Sequence, residues 1–281
     1  SPMDAPASST PTTAQLMQAR YGSAPALPPG PSSETIRLML EHRSIRGYLP
    51  DALPAGIVET LVAAAQSAPT SSNLQSWSVV AVEDPERKAQ LSVLSANQAF
   101  IRQAPLFLCF LADLSRKARV GQQFDMPMDA LEYTESFLVA AVDAALAAQN
   151  AVVAAESLGL GTCYVGSLRN LPLEVAKVLE LPPNCVAVFG LAVGYIDPKA
   201  DTQTKPRLPQ SVVLHRETYK VRDDKAEIAA YDRDMLEFSR RNGMGDVDWL
   251  TRLKSRVGVV KGLSGRHQMK EWLKSLGFGL K

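Results

Sequence analysis

Two short basic runs, far apart in the chain, carry the chemistry that is easiest to read. His42-Arg43-Ser44-Ile45-Arg46 gathers two guanidiniums, an imidazole and a hydroxyl, and Lys205-Pro206-Arg207 adds an ammonium and a further guanidinium. A guanidinium presents several donors in a planar fork and an ammonium is a compact positive charge, so both suit phosphate oxygens. A fold that unites the runs would close them over one phosphate. Taken alone, each run also fits a solvated charged face.

No glycine-rich nucleotide loop accompanies them. The sequence has neither a G-x-G-x-x-G turn nor a G-x-x-x-x-G-K-[ST] loop, so a Rossmann site and a P-loop are both unsupported, and side chains must do the holding. A third polar segment, Thr70-Ser71-Ser72-Asn73-Leu74-Gln75, offers hydroxyls and amides to a polar ring or ribityl chain, and fits a capping turn equally well. Farther on, Gly159 can end a helix in a left-handed cap, and Gly166 permits close approach of the backbone to a ligand.

The elements that position these groups follow from punctuation and periodicity. Ser33 caps a helix from Glu34 that ends near His42 and delivers the first basic run from its C-terminal end, where cations are favourable. Pro54 opens a second helix through Ala65, and Pro69 stops it. Strands are expected over 77–82, 106–112 and 185–195, and helices over 86–94, 134–158, 173–179 and 220–241. Residues 242–246 read as a turn, and 249–281 carries scattered apolar anchors at Leu253, Trp272, Leu273 and Phe278. Interleaved helices and strands argue α/β or α+β packing.

Global composition narrows the classes. At 281 residues the chain can bury a substantial core. Its 30 basic and 29 acidic residues nearly cancel, which gives no overall field for nucleic acid or an anionic membrane. Cys109, Cys163 and Cys185 are widely spaced in apolar surroundings and read as buried thiols in a reducing, cytoplasmic setting. His42, His215 and His267 are scattered, so a metal site is disfavoured. The apolar stretch 137–160 is interrupted by Asp143, Gln149, Asn150 and Glu156 and is expected to be a core helix with no membrane span. Ser1-Pro2 before Met3 looks like a processing remnant, and residues 1–33 are expected to be a mostly flexible extension in which Leu16, Met17 and Tyr21 let the second half lie against the body.

Taken in order, HRSIRGY at 42–48, APTSSNLQSW at 68–77, NQAF at 97–100, AAESLGLGTCYVGSLRN at 154–170, KPRLP at 205–209 and VLHRETY at 213–219 resemble the flavin-dependent nitroreductase family, in its branch of oxygen-insensitive NADPH nitroreductases and flavin reductases. The resemblance runs from about residue 34 to the C-terminus. It implies an α+β fold with a central mixed sheet flanked by helices, a core over 34–219, a C-terminal helical arm or flap over 220–281, and non-covalent FMN in a homodimer. By the same resemblance, His42, Arg43, Ser44 and Arg46 hold the FMN phosphate and ribityl end, completed by Lys205 and Arg207. Thr70, Ser71 and Ser72 lie beside the flavin, Gln98 near its polar edge, and Tyr164, Val165, Gly166 and Ser167 along the isoalloxazine.

The implied chemistry is ping-pong two-electron transfer from a reduced nicotinamide through flavin N5 to a nitroaromatic, quinone or other flat acceptor, with no side chain acting as catalytic nucleophile. Arg240 matches an arginine that takes the 2′-phosphate of NADPH; Gly245 stands where a second is expected, and Arg241 offers a substitute. NADPH is therefore preferred over NADH with reduced discrimination. A flavin reductase that releases reduced flavin to a partner, and a non-enzymatic flavin-binding sensor, are the competing readings.

Overall fold

The computed structural model describes residues 9–281; the remnant expected at Ser1-Pro2 and the first part of the expected flexible extension lie outside the described residues. At the centre is a sheet of β1 (Trp77–Val82), β2 (Leu106–Asp113), β3 (Leu160–Val165) and β4 (Cys185–Tyr195), in the order β1-β2-β4-β3. All neighbouring strands are antiparallel. A parallel bridge from Ser44 to Thr162 and an antiparallel one from Tyr48 to Ile196 attach the segment 44–48, and the parallel bridge makes the sheet mixed as expected. Every residue of β2 is buried, which is why this strand reads as a continuous apolar run. Phe107 and Phe110 are among its fully buried side chains, each contributing about 1.5–3 kcal/mol by leaving water.

One face of the sheet is covered by the long helix Thr134–Ser157 and by Ile57–Gln66. Ala140, Ala144, Ala147, Ala148, Ala151 and Ala155 recur at helical spacing and form its buried side. Their methyl groups let the helix approach the strands closely, so a segment with the length and hydropathy of a membrane span is the core helix of this sheet. The other face carries the helices Pro85–Leu94 and Ala99–Gln103, which contribute Leu91, Phe100 and Ile101.

The chain forms two compact units. Ser44–Asp201 with Val260–Lys281 contains the sheet, and 9–43 with Thr202–Val259 forms the second. These boundaries divide the chain differently from the expected extension, core and arm: the arm is split at Val260, and part of the extension forms the helix Thr13–Tyr21, which buries Leu16 and Arg20. In the sheet-bearing unit, Leu273 and Phe278 pack with Ala112, Leu114 and Val186 as the anchors they were expected to be, whereas Leu253, in the second unit, is 40% exposed. The second unit has its own small core of Tyr231, Met235 and Phe238 on the helix Lys225–Arg241, packed by Leu208 and Trp249.

Candidate functional site

The unit boundary falls inside the first basic run, between Arg43 and Ser44. In the second unit the two basic segments are brought together. Arg20 donates to the carbonyls of Leu40 at 3.0 Å and His42 at 2.7 Å, and through its other terminal nitrogen to the carbonyl of Lys205 at 2.6 Å. The amide of Arg207 donates to the Arg20 carbonyl at 2.7 Å. Pro206, buried between Lys205 and Arg207, accepts from the Tyr231 hydroxyl at 3.0 Å. Its fixed φ and this bond hold its neighbours on either side of it. The Lys205 ammonium lies 5.9 Å from the centre of the buried Phe238 ring.

Ser44 and Arg46 belong to the sheet-bearing unit and are held by the same device. Ile45, 1% exposed, donates its amide to the Thr162 carbonyl at 2.9 Å and is the wedge between a half-buried Ser44 and an exposed Arg46. Extended backbone alternates its side chains, so burying the middle residue turns both polar neighbours the other way. Gly161 makes room for the wedge: a Cβ there would lie 3.0 Å from Ile45 Cβ. Tyr48 donates its hydroxyl to the Ile45 carbonyl at 2.5 Å, and burial pushes its pKa up, so the phenol keeps its proton.

The Thr70 to Gln75 segment is an irregular turn in which Ser72, Asn73 and Gln75 all have positive φ. Such backbone costs energy in residues with a Cβ and persists only where its surroundings over-determine it. Asp143, buried on the alanine face of Thr134–Ser157, supplies that constraint by accepting the amides of Ser71 at 3.2 Å and Ser76 at 3.1 Å. Thr70 Oγ1 accepts the Gln75 amide at 3.3 Å. The Lys117 ammonium bonds Ser76 Oγ; burial lowers its pKa while Asp143 opposes the shift. Ser71 and Ser72 themselves are exposed.

After the helix, Gly159 takes φ +78° as a left-handed cap, and the chain enters β3. Tyr164 packs edge-on against Phe189 with ring centres 5.1 Å apart and donates its hydroxyl to Gln149 Oε1 at 3.1 Å. Val165 is buried, and Gly166 and Ser167 open the turn Gly166–Asn170. Gln98 and Ser167, each expected beside the flavin, meet directly at 2.7 Å. Arg240 and Arg241 are exposed near the end of their helix, the first paired with Asp246 at 2.7 Å, the second with Glu237 at 3.7 Å and Gln203 at 3.2 Å.

The motifs assign no role to three residues, although Arg169 lies within the run 154–170. Arg20 and Asp143 act through main-chain atoms distant in sequence, and Arg169, half-buried, donates to the Val188 carbonyl with Arg266 close enough to lower its pKa further after burial. Only Asp143 leaves a signal, a carboxylate in the apolar middle of an alanine-rich helix.

The donor set fits a phosphate-bearing flavin. Cationic side chains flank both Arg20-bound segments, hydroxyls and amides occupy the 70–75 turn and Gln98, and a Cβ at Gly166 would close to 3.3 Å on Arg169 Nη2. Asn170 Oδ1, at the end of that turn, is buried without a hydrogen-bond partner. Among the described residues no group of three or more His, Cys, Asp or Glu side chains sits at metal-binding spacing.

Comparison with known proteins identifies the family. The nitroreductase family model matches residues 39–195, and the model of the family's C-terminal domain matches 205–281. An FMN reductase (NADPH) of Bacillus subtilis is 41% identical over 222 residues, covering 77% of this chain and 88% of the relative. The structure of B. megaterium NfrA2 superposes with a TM-score of 0.83 at 38% identity, covering 89% of this chain and 100% of that one. The NADPH:FMN oxidoreductase from Vibrio harveyi, solved in complex with NAD+, superposes with a TM-score of 0.78 at 32% identity over 89% of this chain and 100% of the other. The chain belongs to the nitroreductase family, in the branch of oxygen-insensitive NAD(P)H nitroreductases and flavin reductases.

Proposed function

We propose that this NAD(P)H-dependent oxidoreductase binds FMN as a homodimer and passes electrons from NADPH to nitroaromatics, quinones or related flat acceptors in a cytoplasmic setting. The observation that carries this reading is the meeting of the segments bearing His42 and Lys205 on the Arg20 guanidinium. When bound, FMN supplies the two-electron carrier between nicotinamide and acceptor.

His42, Arg43, Ser44, Arg46, Lys205 and Arg207 take the phosphate and ribityl end, where charge-assisted bonds contribute on the order of 1.5–3 kcal/mol each. Thr70, Ser71 and Ser72 offer hydroxyls and amides beside the ring, Gln98 meets its polar edge, and Tyr164 through Ser167 lie along it. Arg240 and Arg241 receive the 2′-phosphate of NADPH; their present partners are surface ion pairs worth about 0–1 kcal/mol, which a phosphate displaces readily. Leu138, Val142 and Leu146, at four-residue spacing on Thr134–Ser157, are 55%, 46% and 43% exposed. A helix apolar on both sides supports pairing with a second copy. The name of the B. subtilis relative favours free flavin as one acceptor.

The test is a visible spectrum of the purified protein followed by anaerobic NADPH and then a quinone or nitroaromatic. A flavin band that bleaches with NADPH and returns with the acceptor is expected. Folded protein that takes up no FMN, or bound flavin that NADPH does not bleach, overturns the proposal.

A further inference from the structure

Residues before 39 precede the segment matched by the family model, and the helix Thr13–Tyr21 lies among them. We propose that Arg20 on this helix is a positioning residue for the phosphate grip, a brace contributed by the chain's own N-terminal segment. The proposal rests on the FMN reading above.

Arg20 is 8% exposed and engages main chain on both sides of the grip: the carbonyls of Leu40, His42 and Lys205 accept from its guanidinium, and its own carbonyl accepts from Arg207. Leu40 is the last residue of the helix Glu34–Leu40, where carbonyls lack intrahelical partners and a cation is favoured by the helix dipole. Because these bonds use backbone atoms, Arg20 sets where the basic side chains originate and does not itself contend for the phosphate. A planar fork with divergent donors suits bridging two segments in a way that one ammonium does not.

The helix that carries Arg20 is itself secured. Thr12 and Gln15 form a reciprocal cap, with Gln15 N to Thr12 Oγ1 at 3.2 Å and Thr12 N to Gln15 Oε1 at 2.8 Å. At the other end Gly22 turns with φ +58°, and Ser23 donates both its amide and its hydroxyl to Asp234 Oδ2 at 2.9 Å. A Cβ at position 22 would lie 2.5 Å from that oxygen, so a larger residue would have to displace the carboxylate that Ser23 bonds and also adopt a left-handed φ. Tyr21 accepts from Gln210 Nε2 at 3.0 Å, a further tie to the chain just beyond Arg207. The brace thus holds two basic segments in place before any phosphate arrives, which raises affinity by preorganisation.

The experiment compares dissociation constants of the full-length apoprotein for FMN and for riboflavin, which lacks the phosphate, in the wild type and in Arg20→Met. The expected result is an FMN-over-riboflavin preference reduced about tenfold in the variant, with riboflavin affinity near that of the wild type. An unchanged preference overturns the brace, and so does an equal loss for both ligands, which marks a role in general stability only. Should Arg20→Met not yield folded protein, Arg20→Lys carries the same comparison: its preference falls by about threefold because one ammonium cannot span both segments, and an unchanged preference there overturns the brace too. A wild type that binds neither ligand defeats the cofactor reading instead, so the two failures are distinct.

Discussion

Gln98 donates Nε2 to Ser167 Oγ at 2.7 Å, and both residues also donate to the Ser95 carbonyl at 3.1 Å. A carbonyl only accepts, so the Gln98 amide nitrogen must face it, and both of its hydrogens are then committed within the protein. Oε1 remains as the atom that can meet a ring N–H. Gln98→Glu sets a carboxylate against the Ser95 carbonyl and is expected to weaken FMN binding about tenfold. Fluorescence titration of the apoprotein checks this, and unaltered affinity would separate Gln98 from the flavin.

Asp143 fixes both ends of the 71–76 turn with its two oxygens. Asn in its place offers one acceptor and one donor, which leaves an amide N–H opposed to NH2. Asp143→Asn is therefore expected to cost about 1–3 kcal/mol of stability. Amide exchange at Ser71 and Ser76 should quicken by at least about tenfold relative to strands β2 and β4. Exchange that accelerates uniformly across the chain would argue against a local clamp.

The Asp113 carboxylate is buried, which raises its pKa, but hydrogen bonds from Ser115 at 2.9 and 2.5 Å and from Ser78 at 2.6 Å, with Arg116 at 3.8 Å, outweigh burial and leave it lowered. A carboxyl whose folded pKa is depressed contributes stability that is complete above its unfolded value of about 3.9 and lost as pH falls from there through the folded value. Asp113→Asn should destabilise by about 1–3 kcal/mol at neutral pH. The gap between variant and wild type should narrow near pH 3 to 4, roughly the range in which the unfolded carboxyl protonates. Urea unfolding at both pH values measures it, and a gap independent of pH would refute the assignment.

The Arg240 to Asp246 pair, 2.7 Å apart and largely in solvent, lies where nicotinamide selectivity is expected to reside. Arg240→Ala should lower the NADPH-to-NADH ratio of kcat/KM by about tenfold, while Asp246→Ala should leave it unchanged or raise it by removing a competing anion. Equal ratios in all three proteins would move the 2′-phosphate elsewhere.

Much of this architecture is legible in the chain. Leu106–Asp113 and Cys185–Tyr195 coincide with apolar runs because the inner strands of a helix-covered sheet are largely buried, whereas the edge strand Trp77–Val82 is marked by its β-branched residues. The helix expected over 134–158 ends at Ser157 for the reason Gly159 announces. The strand Leu160–Val165 is harder to read, since Gly161 lowers strand propensity and is required by the Ile45 wedge from elsewhere in the chain. The left-handed residues of the 70–75 turn carry side chains that do not advertise that conformation, apart from Asn73. Arg20 is the least legible of all: its carbonyl partners lie from 20 to 185 residues away, and no local pattern points to them.

Asp143 shares its helical face with Ala140, Ala144, Ala147 and Ala151, where short methyl groups leave little slack between helix and sheet. The serine turn thus takes its coordinates from the middle of the protein. Laboratory evolution toward new acceptors should find a tolerant position instead at exposed Gln149, whose hydrogen bond from the Tyr164 hydroxyl can be exchanged while the Tyr164 ring keeps its edge-on contact with Phe189.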